Sequence, residues 1–243
     1  MPGTACAAES AAVAQGLPVL AGVCCLVAGT ASALSADQEV VANSCLYGMS
    51  VGDSHGAIDA CEASSDPLHV AQDPAVRRAI AALGLANDLI TFHGCAKTPF
   101  QVIAVPRTGS QRVYRISYPI EAGADFLAPT IHELAHAFQF DNGLGPDGSG
   151  QAADSMRVEL SADFLVGYVF SHFLQGTDEA RFQANLSLIG LYHEKPAIAH
   201  GRPEQRVSAF RIGLVSRGVY ADLAPAAALR HFDDYDYAKV LFF

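Results

Sequence analysis

His132-Glu133-Leu134-Ala135-His136 sets two imidazoles four residues apart with a carboxylate between them. On a helix, positions i and i+4 share a face, so His132 and His136 can hold one metal ion together. Glu133 stands beside the pair and is the residue type that takes a proton from a metal-bound water. A catalytic site of this kind uses a third protein ligand and keeps a fourth position for water. The next candidate lies downstream, in Glu159-Leu160-Ser161-Ala162-Asp163, where two carboxylates are again i and i+4. Glu159 is read as the third ligand. Asp163 is read as the carboxylate that accepts a ligand imidazole N–H and so sets its tautomer. Two alternatives stand beside this: Asp163 on the metal instead, or both carboxylates on a solvated helix face.

These residues need helices to hold them. Asp125 to Asn142 is expected to form one amphipathic helix, capped by Asp125 and accepting Pro129 in its first turn. Leu127, Ile131, Leu134 and Phe138 make its apolar stripe, and Asn142-Gly143 its stop. A second helix is expected over Ala152 to Gln175, ending at Gly176. Asp73 to Phe92 reads as helix with Pro74 at its start and Val76, Ile80, Leu83 and Leu89 inward. Phe100 to Val105 and Arg112 to Tyr118 read as two strands joined by Pro106-Arg107-Thr108-Gly109-Ser110. Further helices are expected over Asp178 to Tyr192, behind Thr177, and over Pro203 to Arg217, stopped by Gly218. Val240-Leu241-Phe242-Phe243 closes the chain as an apolar run that packs on the core or serves as a docking tail.

With those elements in place, the chain resembles a known group. HELAHAFQ followed by RVELSADFLVGY is similar to the gluzincin pattern of thermolysin-like zinc metallopeptidases. Ala199-His200-Gly201-Arg202-Pro203-Glu204-Gln205-Arg206-Val207 resembles the "HG…QR" segment of the bacterial neutral zinc metallopeptidase family. It is also similar to the "HP…ER" segment of peptidases related to the CAAX prenyl protease. The resemblance spans about residues 99–217. It implies one Zn²⁺ on His132, His136 and Glu159, Glu133 as general base and Asp163 as the orienting carboxylate. His200 and Arg206 become polar groups near the substrate that steady the oxyanion. By analogy with zincins, Arg112 to Pro119 would be an edge strand aligning an extended peptide, or simply a hairpin covering the core.

The implied fold is α+β and mainly helical: a zincin-like metallopeptidase with a small β-sheet preceding the active-site helix. The expected division is a signal peptide or membrane anchor over 1–36, an N-terminal helical region over 37–98 and a zincin-like catalytic region over 99–243. Leu17 to Ala36 is apolar and uncharged and ends near Ala31-Ser32-Ala33, an A-x-A cleavage pattern, which points to export, with a buried or loosely ordered Ala-rich helix as the alternative. Residues 1–16 contain no Lys or Arg and do contain Glu9, unlike a standard leader. Beyond the leader, Cys45, Cys61 and Cys95 allow a Cys45–Cys61 bridge or three buried thiols.

With 51 % hydrophobic residues over 243 positions, the composition is that of a globular chain. The formal net charge of −10 argues against nucleic-acid binding and against docking on anionic membranes. The expected activity is hydrolysis of peptide bonds in a peptide or protein substrate. Its rivals are a zincin-like domain that binds metal or a partner without cleaving, a peptidase held inactive by its N-terminal region, and a coincidental HELAH.

Overall fold

Asp73 opens the first long helix. Its Oδ1 accepts from the backbone N–H groups of Ala75 (2.7 Å) and Val76 (3.1 Å), which a helix start leaves without partners. Pro74 takes the first helical position, and helix α1 runs Pro74–Ala82. In this computed structural model the described residues are 65–86, 89–95, 100–106, 112–143, 155–176, 179, 180, 182, 201–219 and 223–242, all within the unit Ala36–Phe243. The apolar segment over 17–36, Cys45, Cys61, His55 and His200 lie outside them, as does most of the helix expected over 178–192.

Helix α1 is shorter than its periodicity implies. Gly84 adopts φ +67°, and the N–H of Leu85 returns to Ile80 O (3.0 Å) while that of Gly84 bonds Ala81 O (3.0 Å). This is a Schellman stop, with glycine supplying the left-handed residue without a Cβ clash. The expectation of helix through to Phe92 is therefore corrected: Ile90–Cys95 is strand β1. Its β-branched and aromatic residues suit a pleated surface, with Ile90 and Phe92 buried and Thr91 exposed between them.

Strands β2 (Gln101–Pro106) and β3 (Arg112–Pro119) pair antiparallel, as expected of neighbouring strands. Among the described residues they form with β1 a three-stranded sheet of order β1-β3-β2, β1 running parallel to β3. Two readings change with this. Strand β3 is central, hydrogen-bonded on both sides, and cannot serve as the edge that aligns a peptide. The boundary at residue 98 also runs through one sheet.

Helix α2, Leu127–Asp141, carries the HELAH residues. It follows a 3₁₀ segment, Ile120–Phe126, kinked at Gly123, so Asp125 lies inside that segment and Phe126 precedes the helix without a side-chain cap. Nor is α2 amphipathic: every residue from Ala128 to Phe140 is buried. It packs against α1, β2, β3 and the next helix, and such surroundings leave it no wet face. Asn142 ends it, with Gly143 at φ +70°, where the sequence places the stop. The buried Tyr114 of β3 stacks on Phe140 and donates its hydroxyl to Asp141, joining the sheet to the end of α2.

Helix α3 (Ser155–Phe173) carries Glu159 and Asp163, and α4 (Pro203–Val219) carries Arg206. The two helices come into close backbone contact at Gly167 and Gly213. A Cβ built on Gly167 would overlap the Phe210 carbonyl, and one on Gly213 would overlap the Phe164 carbonyl. The two backbones touch only because both positions lack side chains.

Behind α3 lie α5 (Pro225–His231), a π-helical turn (Phe232–Asp236) and the short α6 (Tyr237–Val240). Phe232 stacks on Phe164 with ring centroids 4.6 Å apart. Asp233 accepts from Ser161 Oγ (2.6 Å), a residue between the two carboxylates of α3. The closing apolar run divides: Val240 is buried, whereas Phe242 is 90 % exposed. The described residues are thus mainly helical with a small sheet, and no helix among them is long and apolar enough to cross a membrane.

Gly213→Ala forces apart two backbones in van der Waals contact. Overpacking of this kind costs about 1–3 kcal/mol or more. A substantially lowered midpoint in thermal or urea unfolding is the expected result; an unchanged midpoint would mean that the crossing is not this close.

Candidate metal centre

One turn of helix separates His132 from His136 on α2, and their Nε2 atoms lie 3.0 Å apart. Glu159 reaches across from α3. Its Oε2 is 3.0 Å from His132 Nε2, and its Oε1 is 3.5 Å from His136 Nε2. All three side chains are buried, and their donor atoms lie close enough together to hold a metal ion. Among the described residues, this is where His, Cys and carboxylate groups gather in that way. Sequence spacing foresaw the trio; the tertiary contact between α2 and α3 brings Glu159 to the histidines.

Each histidine is held from behind. Asp163 Oδ1 lies 2.9 Å from His132 Nδ1. Asp163 is itself gripped by Arg206, whose Nε and Nη2 donate to its two oxygens at 2.7 Å each, a bidentate pair with no solvent exposure on either side. Asp163 thus lies against His132, and Arg206 lies behind Asp163. The guanidinium sits behind His132, with Nη2 3.4 Å from Nδ1. His136 Nδ1 lies 2.8 Å from Gln139 Oε1, a partner the sequence reading passed over. The i, i+3 spacing of His136 and Gln139 on one helix was the available signal. His172 stacks on Tyr168 one and a half turns beyond Gly167 and takes no part, in line with its sequence position. Cys95 is disulfide-bonded, so it is not the leftover thiol of the Cys45–Cys61 alternative.

No family model, curated protein or solved structure matches this chain. The site therefore has to be judged on its own chemistry.

Arg206 pairs with Asp163, and Glu159 faces His132 and His136 in the same buried region. Burial by itself pushes the His132 imidazole down, since it disfavours the charged form. Hydrogen bonds and charge from Asp163, joined by Glu159, outweigh burial and carry the group up to about 9. A protonated His132 donates through Nδ1 to Asp163, and its Nε2–H points toward Glu159 and His136 Nε2. A cation held by His132, His136 and Glu159 takes the place of that Nε2 proton.

Proton displacement gives a test with a definite sign. Below pH 9 a metal must expel the proton from His132, so apparent affinity should rise about tenfold per pH unit from pH 7 to 9, then level off. Zinc titration against a competing chelator across that range measures it. A flat profile would mean that His132 is already neutral at pH 7.

Proposed function

We propose that the chain is a zinc-dependent peptidase of zincin-like architecture, with Zn²⁺ held by His132, His136 and Glu159 and with Glu133 as general base. The observation that carries the reading is the trio itself: two imidazole nitrogens and a carboxylate converging on one point, with separate groups engaging the far nitrogens of both imidazoles. Zinc takes N and O donors at about 2.0–2.1 Å in tetrahedral geometry, which sets donors about 3.3–3.4 Å apart. Here the two Nε2 atoms lie 3.0 Å apart, with Glu159 Oε2 3.0 Å from that of His132 and Oε1 3.5 Å from that of His136, so a small shift of the carboxylate brings one oxygen into such a site. The donor set of two histidines and a glutamate is one that catalytic zinc sites use.

When bound, zinc supplies a Lewis acid and a water acidified toward neutrality. The protein's own groups do the rest. Glu133, adjacent to His132 on α2, accepts a proton from the attacking water and returns it to the leaving amine. Asp163 and Arg206 hold His132 in one orientation. His200 remains the proposed oxyanion donor by resemblance alone, being outside the described residues.

A second reading is favoured by one observation. His132, Glu133, His136 and Glu159 are all buried, with Glu133 wholly inaccessible. A site closed in this way suits a metal that serves structure or partner binding, since a catalytic site needs an opening for substrate.

Metal analysis and peptide cleavage separate the two. Protein purified without added metal should hold about one zinc per chain, and Glu159→Ala should lose most of it. Glu133→Gln should keep the zinc and lose about 10²–10⁴-fold in cleavage of a peptide library. Zinc retained with no cleavage by the wild type supports the structural reading. An active Glu133→Gln removes Glu133 as base.

A further inference from the structure

Gln139 is buried, on the helix of the two histidines, and both ends of its amide are engaged. Its Nε2 donates to the backbone carbonyl of Val158 at 2.9 Å. A carbonyl only accepts, so this contact decides which way the amide points. Oε1 must then face His136 Nδ1, 2.8 Å away. An amide oxygen also only accepts, so Nδ1 has to carry the proton. In neutral imidazole that leaves the lone pair on Nε2, the atom that faces His132 and Glu159.

We infer that Gln139 is a positioning residue that locks His136 in its metal-binding tautomer and ties it to the third ligand. The tie is short in sequence terms: Val158 immediately precedes Glu159. The chain of contacts runs from the His136 ring through the Gln139 amide to the α3 backbone that carries Glu159. Gln139 therefore does for His136 what Asp163 does for His132, with a neutral group in place of a charged one. A second carboxylate there would add negative charge to a buried site whose one guanidinium is already committed to Asp163. The amide orients the ring without that charge. The inference rests on the metal reading above.

Two substitutions divide the functions of the amide. Gln139→Glu keeps an oxygen for Nδ1–H and loses the donor to Val158. Gln139→Leu loses both. Zinc affinity, measured by chelator competition, should fall about 10–100-fold in Gln139→Leu and by clearly less in Gln139→Glu, which keeps the acceptor for Nδ1–H but loses the tie to Val158 and adds a buried charge. Nuclear magnetic resonance of ¹⁵N-labelled histidine should show His136 protonated at Nδ1 in the metal-free wild type. Equal affinity in Gln139→Leu and wild type overturns the inference. So does an equal loss in both variants, which would assign Gln139 to the Val158 contact alone, or an Nε2-protonated His136. If Gln139→Leu does not fold, the wild-type tautomer decides. A wild type that binds no zinc sinks the metal reading first and this inference with it.

Discussion

Asp163 is a side chain with no access to water, and much of the surrounding structure serves to supply its partners. An isolated buried charge is strongly unfavourable, and only paired, well-aligned hydrogen bonds make it tolerable. Arg206 provides two of them and His132 a third. Removing either partner would leave a charge stranded inside the protein. Asp163, Arg206 and His132 thus bind three helices, α2, α3 and α4, to one another through groups that are shut off from solvent.

The glycine crossing answers to that requirement. Arg206 can meet Asp163 squarely only if α4 lies close along α3, and Gly167 and Gly213 let the two backbones touch. Side chains at those positions would set the helices at an ordinary separation, too wide for short bidentate contacts from a side chain so deeply buried. The C-terminal π-helical turn presses α3 from another direction, through Phe232 on Phe164 and Asp233 on Ser161. Glu159 and Asp163 therefore sit on a helix fixed on several sides. Rigid placement of this kind is what a metal site needs, because ligand atoms must meet within tenths of an ångström.

The electrostatics follow from the same packing. Two carboxylates of α3 share a dry region with one guanidinium, and the balance falls on His132, whose affinity for a proton is raised to about 9. A site that holds a proton so firmly between a carboxylate and a second imidazole is also one that favours a cation. Its closure sharpens every charge interaction inside.

Residue spacing alone determined that His132, Glu133 and His136 share a helix, that Glu159 and Asp163 share another, and that both helices end near glycines. These are local facts, governed by the 3.6-residue turn and by glycine's freedom at positive φ. Spacing also placed β2 beside β3. It misjudged α1, where Leu83-Gly84-Leu85 carries a stop that apolar periodicity hides, and it read α2 as half-wet when neighbours bury it on every side. The placement of Arg206 beside Asp163 escaped it for a related reason. Its partner lies 43 residues away, and no local pattern states which buried charge will find which. The tertiary structure decided that Arg206 backs His132, that β3 is an inner strand and that Gln139 holds His136. Each depends on which surfaces meet when the helices pack, a choice made by burial and charge pairing across the whole chain.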